Sequence, residues 1–288
     1  MLCKDRKGNV IESKTNDETI IRKLYETNLG RGALKVLTKK TVSDLGGVLL
    51  NTKFSKVFID KFIRENNIDM SDYVGYPYNS YNEFFIRKIR KGARTVDKDK
   101  NSFISPADSK LTVYKIGENS EFNIKNVNYT FEKLFRSKKL AETFNGGYIM
   151  IFRLSVDDYH RYIYVDDGVK SNNYTINGVY HTVNPIASDI MPIYAENQRE
   201  FSLLKSKNFD TVLMMEVGAM MVGKIVNYHK KSIVKRGQEK GRFEFGGSTV
   251  ILCVKENVIK IDDDILINSK NGIETKVKLG EKIASKVL

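Results

Sequence analysis

The chain has 288 residues, 41% apolar and 29% charged, the balance of a water-soluble globular fold long enough for a sizeable core in one large or two small domains. Its 48 Lys and Arg outnumber 35 Asp and Glu for a formal charge of +13, and the first hundred residues carry +8 of that excess; such a field suits a polyanionic partner, an anionic membrane surface or nucleic acid. Only two cysteines, Cys3 and Cys253, argue against a disulfide framework and fit a reducing compartment, while MLCKDRKGNV lacks the apolar stretch of a signal peptide and no 18-residue apolar run offers a membrane span.

In residues 15–30, TNDETIIRKLYETNLG, Thr15 stands three before Glu18, a capping-box spacing, and Ile20, Ile21, Leu24 and Leu29 supply an apolar face that Gly30 can end. Residues 54–67 place Ile59, Phe62 and Ile63 at helical spacing, and residues 80–94 repeat the capping pattern with Ser80 and Glu83. Between 73 and 94 the rings of Tyr73, Tyr76, Tyr78, Tyr81, Phe84 and Phe85 precede Arg87, Lys88, Arg90, Lys91 and Arg94. Aromatics beside cations suit a membrane interface or single-stranded nucleic acid; an amphipathic helix with Phe84 and Phe85 in the core is the plainer reading.

From about residue 100 the pattern turns to β. Pro106 sets a turn after which Asp108 leads a strand, and residues 146–156 read as another. Asn177-Gly178 between β-rich arms predicts a hairpin over 172–184. Residues 211–226 predict one or two buried strands broken by glycine; 242–254 and 257–268 predict more, with a turn at Asn271-Gly272. The expected fold is α+β: a helical, basic segment over 1–98, then a mostly antiparallel β core over 99–288.

Three histidines carry the candidate chemistry. Strand alternation would put Asp158, His160 and Tyr162 on one face, a base with its orienter. His181 follows the expected hairpin, and His229, among lysines, reads as plain surface. There is no close Cys/His pair, no His-x-x-x-His, no phosphate-cradling GxxxxGK[ST] and no GxGxxG, so no metal is expected. In RFEFGGSTVILCV, residues 242–254, the run Gly246-Gly247-Ser248-Thr249 interrupts a good strand; alone it signals a bulge or close backbone approach.

Taken in order, YNEFFIRKIRKGAR (81–94), SPAD (105–108), DYHR (158–161), VNPIA (183–187), VGAMMVGKI (217–225) and FGGST (245–249) resemble the phosphatidylserine decarboxylase family. The resemblance implies an enzyme that makes its own cofactor by cutting the chain between Gly247 and Ser248. Ser248 Oγ would attack the Gly247 carbonyl, β-elimination would open the ester, and loss of ammonia would leave a pyruvoyl group on the new N-terminus. That ketone would then take up the electron pair released as CO2 leaves phosphatidylserine, giving phosphatidylethanolamine. Asp108 and Asp158 would orient or charge-balance the base for cleavage, and His160 would handle the substrate carboxylate or the proton. The resemblance also implies an enzyme peripheral to the cytoplasmic face of an anionic membrane, composed of its two self-cleavage fragments and forming a homodimer, with no nucleic acid.

Two departures stand out. Ile163 occupies the place of a second family histidine, the base for serine attack, and Ser109 replaces a glycine. Three readings stay open: His160 serves both steps, His181 reaches Ser248 (slightly favoured), or the chain cleaves slowly or not at all. The last leads to the alternative of a basic lipid- or nucleic-acid-binding protein that has lost the activity. A Ser-His-Asp hydrolase lacks its G-x-S-x-G elbow.

Overall fold

The computed structural model describes residues 2–11, 18–117, 121–124, 127–188, 190–219, 224–244 and 248–287. The fold is α+β, with helices gathered toward the N-terminus. Its frame is an eleven-stranded sheet among the described residues. Along it run Ser232–Val234, Gly168–Lys170, Arg199–Ser206, Thr211–Val217, Ser248–Val254, Tyr148–Leu154, Ser109–Lys115, Glu274–Val277, Cys3–Lys4 and Val10–Ile11, and Tyr174–Ile176 also pairs with the Arg199 strand. Every pairing is antiparallel except Cys3–Lys4 against Glu274–Val277, so the first residues belong to the β core.

The central strands YIMIFRL, TVLMMEV and STVILCV are apolar almost throughout because both faces of the sheet are covered; Met150, Phe152, Leu213, Met214, Val250 and Leu252 are all fully buried. A smaller sheet, Arg161–Ile163, Glu239–Glu244 and Lys224–Asn227, continues beyond one end of these strands.

The expected capping box at Thr15 lies outside the described residues. Downstream, helix Glu18–Glu26 stops at Thr27, whose hydroxyl caps helix Asn28–Leu37 through Gly30 N–H. Gly30 therefore does not end a helix. It lets two helices touch, since a Cβ there would sit 2.2 Å from the Lys23 carbonyl oxygen. Ser80 does cap Glu83, but the helix is short, Tyr81–Phe85.

Three further expectations are corrected. No hairpin forms at Asn177-Gly178: Tyr174–Ile176 pairs with Arg199–Phe201, and Gly178 serves a close approach, its Cβ position 2.1 Å from Glu196 O. The segment 257–268 is strand only over Ile259–Ile261; it then becomes helix Asp263–Lys270, whose first turn carries Asp263 and Asp264, acids that favour a helix start. His229 is half-buried and hydrogen-bonded to Tyr164 and Gln238, so it is a packed residue rather than plain surface.

The candidate functional site

Leu154, Val217 and Ser248 lie at one end of three adjacent strands, with Ser248 opposite Leu154 and Thr249 opposite Val217. Beyond them the chain enters the smaller sheet in the same lateral order, with Arg161 opposite Arg242 and Lys224 opposite Glu244. The connection 155–160 thus passes from one sheet to the other, and the described strands on either side of 220–223 and of 245–247 end beside it in the same order. Gly247 of the expected cleavage site lies outside the described residues, yet both flanks are held in ladders. Four Cα–Cα steps join Glu244 to Ser248, a span of at most about 15 Å.

Ser248 is fully buried, and its Oγ has no hydrogen-bond partner among the described residues. A buried hydroxyl in that state costs about 1–3 kcal/mol. The neighbouring Thr249 hydroxyl is in the same condition.

His160 sits on the connection 155–160, where Phe243 N–H donates to its carbonyl. Its imidazole is fully buried, 3.9 Å from the Phe85 ring centroid, with Nδ1 2.9 Å from the main-chain oxygen of Asp158. A carbonyl only accepts, so Nδ1 carries the proton and Nε2 is the basic nitrogen of the neutral ring. The strand covers only Arg161–Ile163, so the expected one-face alternation of Asp158 and His160 does not exist. The Asp158 carboxylate instead takes Lys110 Nζ at 2.6 Å and Ser155 N–H at 2.7 Å. Burial pushes that carboxyl up from its ordinary value, and Lys110 pulls it back.

Asp108 is gripped by Arg94, whose Nη2 approaches to 2.6 Å, and accepts Leu279 N–H at 2.7 Å; Arg94 also pairs with Asp72. Ile163 N–H donates to Pro106 O, so its buried side chain stands beside the Asp108 loop, where the missing base was expected. His181 lies at the same sheet end: Asn197 binds both its main chain and Gly218 O. Its ring is engaged elsewhere, Nδ1 with Tyr25 Oη at 3.2 Å and Nε2 with Glu196 at 3.3 Å.

The basic aromatic stretch proves to be the brace of this site. Tyr73, Tyr78, Tyr81, Phe84 and Phe85 are buried, and so is Arg87, which lies against the Tyr73 and Phe84 rings and donates to the Asp157 and Asp158 carbonyls. Arg161 answers by donating to the carbonyls of Ile86 and Arg87. Lys110 and Arg94, partners of the two expected aspartates, escaped sequence reading; so did Glu216, whose charge inside an apolar strand was a readable signal.

Among the described residues no His, Cys, Asp and Glu cluster is placed to hold a metal, and no helix is long and apolar enough to cross a membrane. The sequence model of one family, described as phosphatidylserine decarboxylase, matches residues 81–285. Among similar proteins, phosphatidylserine decarboxylase proenzyme 2 of Clostridium acetobutylicum is 50% identical over 261 residues, 90% of this chain and 89% of that protein. Phosphatidylserine decarboxylase proenzymes of Clostridium botulinum strain Langeland and Clostridium tetani are 42% and 43% identical over 279 residues, 95% of this chain and 95% and 94% of theirs.

Proposed function

Because the chain belongs to the phosphatidylserine decarboxylase family, we propose that it converts phosphatidylserine to phosphatidylethanolamine and CO2 through a pyruvoyl group made from its own Ser248. The observation that carries this reading is the buried Ser248 hydroxyl, unpartnered among the described residues, at the first position of its strand. An oxygen spared from hydrogen bonding and adjacent to a glycine carbonyl is suited to attack it. The Oγ–C bond would form as the Gly247–Ser248 C–N bond breaks, the hydroxyl proton passing to the Ser248 nitrogen. Loss of the Ser248 Cα proton would then expel the Gly247 carboxylate, and hydrolysis would release ammonia. The pyruvoyl group would supply an electron sink for decarboxylation.

His160 is the base this geometry favours. Its loop and the scissile segment bridge the same two pairs of strands, whereas both His181 nitrogens are engaged by Tyr25 and Glu196. Asp158 with Lys110 would hold the His160 loop, and Asp108 with Arg94 the neighbouring turn. His160→Gln is expected to slow fragment release by at least about 100-fold, a typical loss for a general base, and His181→Gln to leave it within about threefold. The reverse ranking in a cleavage time course would move the base to His181. The reading itself is tested by intact mass under denaturing conditions. A fragment of residues 248–288, lighter by one ammonia than an N-terminal serine would make it, supports it; a stable whole chain points to the non-cleaving alternative.

Within the expected segment 1–98, the exposed helices would face the cytoplasmic leaflet, with 99–288 supplying most of the catalytic part and two such chains forming a homodimer. Helices Asn28–Leu37 and Lys40–Leu50 and the 3₁₀ turn Lys53–Phe58 expose Leu29, Leu45, Val48, Leu49, Phe54 and Val57 beside Lys39, Lys53 and Lys56. Insertion of such side chains with nearby cations suits an anionic bilayer. The double variant Leu45→Gln, Phe54→Gln is expected to bind phosphatidylserine-containing vesicles about tenfold or more weakly while keeping its melting temperature. Undiminished sedimentation with vesicles would reject these helices as the dock.

A further inference from the structure

We propose that the buried Glu216–Lys240 ion pair, joined by Asn227, is a positioning device for self-cleavage that fixes the two strands on either side of the scissile peptide. The proposal rests on reading Ser248 as the self-cleaving serine. Lys240 lies in Glu239–Glu244, the strand that runs into residues 245–247, and Glu216 lies in Thr211–Val217, which flanks the strand that leaves them. Lys240 Nζ is 2.8 Å from both Glu216 carboxylate oxygens, and both side chains are completely buried. Asn227, opposite Gly241, accepts from Lys240 at 2.6 Å and donates to Glu216 at 2.9 Å and to Glu200 on the next strand of the large sheet. One network therefore joins strands of the smaller sheet to strands of the large one.

The network also faces the reacting atom. Ser248 and Val250 project to one face of their strand, and Glu216 stands directly opposite Val250. Glu216 and Ser248 thus share that face on a diagonal, their Cβ atoms roughly 7 Å apart.

Stability does not account for the pair. Removing two charges from water costs about as much as their attraction returns, and apolar residues of similar volume commonly do as well or better. What an ion pair with a shared amide supplies, and an apolar contact does not, is a fixed length and direction between two strands. Attack by Ser248 Oγ needs that: a misplacement of about 1 Å at a reacting centre can cost about 100-fold in rate.

The test follows release of the 248–288 fragment from freshly synthesised chain by denaturing mass spectrometry. Glu216→Leu with Lys240→Met is expected to melt at or above the wild-type temperature yet release the fragment at least tenfold more slowly. Hydroxylamine at neutral pH and mild temperature, conditions that open esters and spare peptide bonds, is expected not to restore release, because the lesion precedes the ester. Asn227→Ala, which leaves the charges paired, is expected to slow release about threefold. Wild-type release from the folded double variant overturns the proposal, as does rescue by hydroxylamine. Should the double variant fail to fold, Asn227→Ala decides, and a wild-type rate there overturns it. A wild-type chain that never releases the fragment overturns the self-cleavage reading instead.

Discussion

Ser248→Ala is expected to leave the chain whole indefinitely, with no 248–288 fragment and no decarboxylase activity. The methyl group has no lone pair to attack the preceding carbonyl, so the first step has no substitute. The same change is expected to preserve or raise stability. The Ser248 hydroxyl is buried without a partner among the described residues, so its removal relieves a desolvated polar group worth about 1–3 kcal/mol. For a chain of this size that is a rise of a few degrees in melting temperature. Opposite signs for processing and stability mark a residue retained for chemistry at the fold's expense. Ser248→Cys, which keeps a nucleophile, is expected to cleave slowly. Fragment in the Ala variant would place the nucleophile elsewhere and remove the basis for the proposed function.

The second large effect is structural in origin and catalytic in consequence. Asp158→Ala is expected to destabilise the protein by about 3 kcal/mol, the low end for breaking a buried ion pair, because Asp157 stands 3.7 Å from Lys110 and compensates in part. At about 2–4 °C per kcal/mol the melting temperature should fall by roughly 6–12 °C. Ser155 N–H also loses its acceptor, so the turn that presents His160 loosens. Activity is therefore expected to fall further than the folded fraction does. Adding Lys110→Met should recover most of the stability and little of the activity, because it removes the stranded charge without rebuilding the turn. A single variant that melts with the wild type would show that the pair carries no weight.

The segment 73–94 teaches the most about reading sequence. Rings beside cations looked like a surface for lipid, and a linear pattern cannot tell a cation facing headgroups from one facing carbonyls. Arg87 turned out to hold the Asp157 and Asp158 carbonyls, Arg94 to hold Asp108, and Phe85 to lie tilted against the His160 ring. The exposed apolar side chains lie upstream, on short helices whose faces found no partner in the core. Asp158 and His160 misled for a related reason: alternation assumes a strand, and the ladder begins only at Arg161.

By itself the sequence determined the α+β class, the buried central strands, the family motifs in their order and the interruption at Gly246-Gly247-Ser248. These are local or pairwise matters: apolar runs must be covered, and glycine beside serine marks a backbone that departs from the ladder. Only the tertiary structure decided that Leu154, Val217 and Ser248 come to one end of three adjacent strands, that Arg94 rather than a histidine holds Asp108, and that Glu216 meets Lys240. Such pairings join residues tens of positions apart on different strands. Their partners are selected by strand order and register, which no single segment encodes.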